Sequence, residues 1–178
     1  SGMSMPIGVK NTSSGDVLAA VNACTFISKP SVFIGINKNN KVCTIKTKGN
    51  NASSIILRGS YINGENYSNI SYNLKTAAKI PLIVDTNHGN SGKTIEGCKR
   101  CFRYIRRLLV DKIYKGFMLE SYIDEGSTKD VLQYTKSITD NCVSLKTTML
   151  MLQDLCKDLN YDTDNQLCLR RSNRSTWY

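Results

Sequence analysis

The stretch Leu82-Ile83-Val84-Asp85-Thr86-Asn87-His88-Gly89-Asn90-Ser91-Gly92-Lys93 carries the pattern that decides the fold. A short apolar run ends on a carboxylate, and a polar, glycine-broken segment holding the chain's single histidine follows it. A run that is continuously apolar, rather than alternating, is what a parallel strand buried on both faces looks like. Beyond Lys93 the apolar residues take up helical spacing, which predicts a helix from about Thr94 to Lys112. Strand, polar turn and helix make one βα unit.

The same rhythm extends in both directions. Upstream, Pro6-Ile7-Gly8-Val9-Lys10 reads as a strand, followed by a helix near Asp16 to Phe26. Ser31 to Ile36 and Val42 to Lys46, separated by Asn37-Lys38-Asn39-Asn40-Lys41, read as a β-hairpin with a polar loop. Ser54-Ile55-Ile56-Leu57-Arg58 is another buried strand, with a weaker helical pattern around Ile70 to Ala78. Downstream, Gly116-Phe117-Met118-Leu119-Glu120 is the last strand, and a helix is expected from Ser144 to Leu159. Each strand ends in a polar or charged residue: Lys10, Arg58, Asp85, Glu120. Barrels and open α/β sheets keep their chemistry at the C-terminal ends of such strands. The expected architecture is α/β, with about four βα units and an inserted hairpin over residues 1–161, then a polar, basic tail over 162–178.

At 178 residues the chain is long enough for one cored domain and shorter than the roughly 250 of a complete (β/α)8 barrel. Hydrophobic residues make up 40% and charged residues 21%, a globular composition. No apolar run approaches the roughly 20 residues of a membrane helix, so no membrane partner is expected. The first residues show no secretory pattern, and seven scattered cysteines are no disulfide framework. A reducing, cytoplasmic setting is the expectation. The net charge of +10 favours anionic partners, whether phosphorylated metabolites, nucleic acid or an acidic protein.

Five further blocks sharpen the picture. Ser1-Gly2-Met3-Ser4-Met5-Pro6-Ile7-Gly8-Val9-Lys10-Asn11 resembles the pattern S-G-L-S-x-P-V-G-F-K-N, and Ile55-Ile56-Leu57-Arg58-Gly59 resembles I-I-L-R-G. Asn66-Tyr67-Ser68 resembles part of P-N-Y-[SD], and Val84 to Lys93 resembles I-D-x-S-H-[AG]-N-S-x-K. Gly116 to Ser121 with Glu125-Gly126 resembles G-V-M-[IV]-E-S…E-G, and Lys136-Ser137-Ile138-Thr139-Asp140-Asn141-Cys142 resembles K-S-I-T-D-x-C. These are blocks of the class I DAHP (3-deoxy-D-arabino-heptulosonate 7-phosphate) synthases, and their order matches the C-terminal half of that family's TIM-type (β/α) barrel.

The resemblance implies roles at the matching positions. His88, Glu120 and Asp140 correspond to three of four ligands of a divalent metal of the Mn, Fe or Co type. Lys10, Arg58 and His88 correspond to groups that hold phosphoenolpyruvate, with Lys10 and His88 as the catalytic candidates. The residue types suit those roles on their own chemistry. An imidazole with two carboxylates suits such a cation, and Lys with Arg suits a ligand bearing phosphate and carboxylate.

The family's fourth ligand, a Cys in a G-P-C-S motif, and its K-P-R-T and G-A-R-T-T-E-S blocks have no counterpart here, so the implied metal site is incomplete. Within the matched half, K-N-G-T-D-G is replaced by Lys10-Asn11-Thr12-Ser13-Ser14-Gly15, Glu65 stands where P-N-Y has its Pro, and C-I-G-W becomes Cys142-Val143-Ser144-Leu145. Four βα units leave two strand edges and an apolar inner face open. A homo-oligomer, or a separate protein covering those edges, is expected. The expectation for function is a non-catalytic, degenerate homologue acting as a binding, structural or regulatory component of an assembly. The alternative is one chain of a split DAHP synthase that condenses phosphoenolpyruvate with erythrose 4-phosphate.

Two signals lie outside these blocks. Lys99, Arg100, Arg103, Arg106 and Arg107 fall on one helical face opposite Cys98, Phe102, Ile105 and Leu109. That face is either a footprint for nucleic acid or another anion, or the solvated side of an outer helix. Cys98-Lys99-Arg100-Cys101 has no second ligand pair for zinc and reads as small buried side chains.

Overall fold

The computed structural model describes residues 1–70, 80–112 and 114–159. Along the chain these form β1 (Ile7–Lys10), α1 (Leu18–Ile27), β2 (Ser31–Ile36), β3 (Val42–Thr47), β4 (Ser53–Leu57), β5 (Ser60–Ile62) and β6 (Glu65–Tyr67). Then come β7 (Leu82–Asp85), α2 (His88–Ser91), α3 (Ile95–Val110), β8 (Gly116–Met118), β9 (Ser121–Tyr122), β10 (Val143–Ser144) and α4 (Leu145–Asp158). The helical pattern expected around Ile70 to Ala78 lies, from residue 71, outside the described residues, as does the tail over 162–178.

The four apolar runs pair as one parallel sheet in the order β1-β4-β7-β8. Chain order is spatial order, as expected of successive βα units wound in one direction. Register places Leu57 beside Val84 and Val84 beside Phe117, so these side chains share one face. Ile55, Leu57 and Val84 are wholly buried there, under Ala20 and Cys24 of α1 and Phe102 and Ile105 of α3. Phe102 meets Phe117 edge to face, with ring centroids 5.0 Å apart. The opposite face carries Gly8, Ile56 and Ile83, and at the strand ends Lys10 and Asp85. Among the described residues, β1 and β8 each have one edge without a neighbouring strand.

Helix starts follow local chemistry. Thr94 caps α3 by accepting from the Gly97 amide at 3.0 Å, and Ser144 caps α4 by accepting from Thr147 at 3.1 Å. Asp16 accepts the free amides of Leu18 and Ala19 at the start of α1. The strand expected to reach Glu120 stops at Met118, because the Glu120 amide leaves the ladder and donates to the Asn87 side chain at 3.0 Å.

The hairpin of β2 and β3 forms as expected, in antiparallel register from Ser31 with Thr47 to Ile36 with Val42. A second hairpin, β5 with β6, was not anticipated, although its Asn63-Gly64 turn is the standard two-residue signal. Both turn residues have positive φ, +50° and +87°.

Candidate functional site

Four chain segments deliver the strand-end side chains to one place. Lys10 ends β1, Asp85 ends β7, His88 opens α2, and Glu120 follows β8. Asp140 arrives from the loop before β10. Asp85 is wholly buried, and its Oδ2 accepts from Lys10 Nζ and from His88 Nδ1, each at 2.8 Å. Its Oδ1 accepts from the Asn87 amide at 2.9 Å. A buried carboxylate is tolerable only with such a full set of donors.

This arrangement orients the imidazole. With Nδ1 turned to the Asp85 carboxyl at 2.8 Å, Nε2 faces the other way. Nε2 stands 3.6 Å from Glu120 Oε1 and 3.9 Å from Asp140 Oδ2. Ligand atoms of all three lie within 4.8 Å of one another. These gaps are too long for hydrogen bonds. Two donors each about 2.1 Å from one ion stand roughly 3 to 4 Å apart, so the spacing suits a shared cation. One imidazole nitrogen with two carboxylates fits a Mn²⁺-like or Fe²⁺-like ion. Burial pushes the Glu120 carboxyl above its ordinary value; His88 opposes that shift, and the neighbouring Asp140 and Asp85 carboxylates add to it.

Arg58 follows β4, between the strands that carry Lys10 and Asp85. It is half-buried, and among the described residues its guanidinium makes no hydrogen bond or ion pair. Its backbone is held tightly: the amide donates to Asn11 Oδ1 at 2.8 Å, and the carbonyl accepts from the Asn90 amide at 3.3 Å. Asn90 also ties strands together, donating from Nδ2 to the carbonyls of Leu57 and Asp85, both at 2.8 Å. Gly59 makes this closeness feasible. Its φ is +77°, and a Cβ there would lie 2.4 Å from the Asn90 nitrogen.

The structure thus brings Lys10, His88, Glu120 and Asp140 together, with Arg58 on the intervening strand. Reading the sequence alone missed the roles of Asp85, Asn87, Asn90 and Asn11. The available signal was a run of Asn and Asp at the ends of buried strands, where a polar side chain must find partners in the fold.

Carboxylates answer part of the basic face of α3. Lys99 pairs with Glu96 at 3.1 Å and Glu125 at 3.4 Å, and Arg106 with Asp158 at 2.6 Å and Asp154 at 3.5 Å. Only Glu96 lies on the same helix; the other carboxylates come from segments distant in sequence. Arg100, Arg103 and Arg107 remain exposed, and Asp111 and Asp158 share the groove beside Arg103 and Arg107. Cys98 and Cys101 are buried, as expected for small side chains on the packed side.

The model of the DAHP synthetase I family matches residues 1–153. The Tyr-sensitive phospho-2-dehydro-3-deoxyheptonate aldolase of Escherichia coli (strain K12) is 33% identical over 173 residues, 90% of this chain and 48% of that protein. The tyrosine-inhibited enzyme of Candida albicans is 36% identical, over 87% of this chain and 46% of its own. A Tyr-sensitive relative from Enterobacter agglomerans is 31% identical, over 89% of this chain and 80% of that sequence. Among solved structures, a phospho-2-dehydro-3-deoxyheptonate aldolase from Francisella tularensis aligns with a TM-score of 0.78 at 29% identity, covering 89% of this chain and 49% of that one. The chain spans about half the length of most of these relatives. The α/β fold with a parallel sheet read from the strand pattern is therefore shown, as part of a DAHP synthase-like barrel. Among the described residues no helix is long and apolar enough to cross a membrane.

Proposed function

This chain belongs to the DAHP synthetase I family, and on that premise we propose that it carries the cation- and phosphoenolpyruvate-binding half of a DAHP synthase active site. The observation that supports this most is the convergence of Lys10, His88, Glu120 and Asp140 around the buried Asp85 carboxylate. Relics drift, and a buried carboxylate with a matched pair of donors is costly to keep if nothing uses it.

In this reading His88 Nε2, Glu120 and Asp140 hold the divalent cation, with a further ligand from residues outside this chain. A bound cation supplies Lewis acidity, polarising an aldehyde oxygen or activating water. Asp85 keeps the proton on His88 Nδ1, so Nε2 stays available as a donor atom. Lys10 and Arg58 bind the phosphate and carboxylate of phosphoenolpyruvate, Arg58 through its planar fork and Lys10 as a point charge. Lys10 is held by Asp85 at the strand end, so the side chain meets substrate already oriented and loses little freedom on binding. The partner substrate is erythrose 4-phosphate, and the reaction joins the two, consuming one water and releasing inorganic phosphate. The groups that would hold the sugar phosphate are supplied by strands or a partner that complete the barrel across the open edges of β1 and β8.

A second, non-catalytic reading draws on the loop after β1. Where the family pattern is K-N-G-T-D-G, Thr12 to Ser14 close on themselves, with Thr12 Oγ1 2.9 Å from Ser14 Oγ and accepting from the Asp16 amide at 3.0 Å. In that reading the cation and anion site persists while sugar-phosphate chemistry is lost, and the chain acts as a binding or structural component.

Thermal unfolding with Mn²⁺, phosphoenolpyruvate, or both tests the first reading. A shift that needs both ligands and vanishes in His88→Ala supports it; no shift in the parent chain overturns it. DAHP formation after mixing with the N-terminal half of a relative then separates the two readings: product at enzymatic rates removes the second, and binding without product removes catalysis.

A further inference from the structure

Asn87 is 5% exposed, and its carboxamide touches the backbone beside two of the three cation-ligand candidates. Oδ1 accepts the Glu120 amide at 3.0 Å, and Nδ2 donates to the carbonyl of Asn141, next to Asp140, at 3.4 Å. The third ligand, His88, is the following residue. The Asn87 amide is itself anchored on Asp85 Oδ1 at 2.9 Å, and its carbonyl accepts the Ser91 amide at 3.2 Å. One amide oxygen facing an N–H and one amide nitrogen facing a carbonyl fix the orientation of the side chain, since the reverse would set like against like.

These contacts join the segments on either side of His88, alongside the bonds of the Val143 amide to the Glu120 carbonyl at 3.1 Å and of the Thr86 amide to the Met118 carbonyl at 2.9 Å. Glu120 has left the sheet beyond Met118, and Asp140 lies on a loop. His88 has a φ of +38°, a conformation that only surrounding contacts sustain in a residue with a side chain. A serine, which the family pattern carries at this position, is one bond shorter and cannot reach both partners.

We propose that Asn87 is the positioning residue of the cation site, a single buried carboxamide that sets Glu120 and Asp140 relative to His88. The inference rests on the reading that these three side chains bind a cation. Residues that orient metal ligands typically contribute 10- to 100-fold, order of magnitude, to metal affinity.

The test is Mn²⁺ titration of the full chain, with free Mn²⁺ followed by electron paramagnetic resonance and the ligand field by visible absorption of the Co²⁺ form. Asn87→Ala and Asn87→Ser are expected to weaken Mn²⁺ by roughly 10- to 100-fold and to move the Co²⁺ bands. Hydrogen exchange at the Glu120 amide should quicken in both variants. Asn50→Ala is the control. Asn50 is likewise buried and clamps backbone carbonyls, those of Met3 and Met5, away from the site. It should leave affinity and spectrum unchanged. Parental affinity in Asn87→Ala, or an equal loss in Asn50→Ala, overturns the inference while the cation reading stands. A parent chain with no saturable Mn²⁺ uptake overturns the cation reading itself, and the positioning role with it.

Discussion

Lys10 and His88 share one acceptor: Nζ of the first and Nδ1 of the second each stand 2.8 Å from Oδ2 of Asp85, which has no exposure to solvent. The Lys10 ammonium and the His88 imidazole are therefore fixed by the same buried carboxyl group.

Asp85→Asn should uncouple them. An amide cannot accept from both donors through one atom and still balance Lys10, so a part-exposed ammonium is left poorly paired. A loss of about 1 to 2 kcal/mol is expected in urea unfolding, below the fully buried case because solvent reaches Lys10, with Mn²⁺ affinity falling at least roughly tenfold. Unchanged stability and unchanged Mn²⁺ binding would show that the bridge is incidental.

Glu120 should cost stability when no cation is present. Burial, with Asp140 nearby, raises its folded-state pKa. Above that value the carboxylate is charged in both states and the folded state is penalised. Below the unfolded-state value it is protonated in both, and the penalty is gone. In chelator, Glu120→Gln is expected to raise the urea midpoint at pH 7, with the gain shrinking as pH falls into the ordinary carboxylate range. A gain that grows on acidification would reverse the sign and refute the account.

Cys98 and Cys101 should behave as packing residues. Burial pushes the Cys101 thiol up to about 12 and raises that of Cys98 as well. Only thiolates alkylate readily. Iodoacetamide at pH 8 followed by peptide mapping should label half-buried Cys43 and Cys156 first, and Cys98 and Cys101 only on unfolding. Early labelling of Cys101 in the native chain would contradict this.

Gly59→Ala should be among the most damaging small changes. It places a side chain at positive φ and drives a Cβ to 2.4 Å from the Asn90 nitrogen, within the contacts that hold the Arg58 backbone. A loss of at least about 2 kcal/mol is expected by denaturant unfolding, whereas Gly64→Ala, where a Cβ meets nothing within 4 Å, should lose less.

Sequence alone determined the four strands of the parallel sheet, because three or four apolar residues closed by a charged one leave few alternatives to a strand buried on both faces. It also placed Lys10 and Asp85 at strand ends and Arg58 and Glu120 just beyond them, where parallel sheets gather their chemistry, and it marked the lone His88. The Asn63-Gly64 hairpin was legible in principle, its turn signal standing between short segments too polar to stand out as strands. Only the tertiary structure decided how these groups meet. That Asp85 serves Lys10 and His88 together, that Asn87 reaches both Glu120 and Asn141, and that Lys99 and Arg106 of α3 are answered by Glu125, Asp154 and Asp158 all depend on segments far apart in the chain. Periodicity reports which face of an element is apolar. It carries no record of which polar group lies opposite, because a hydrogen bond or ion pair across elements is set by the packing that brings them within about 3 Å.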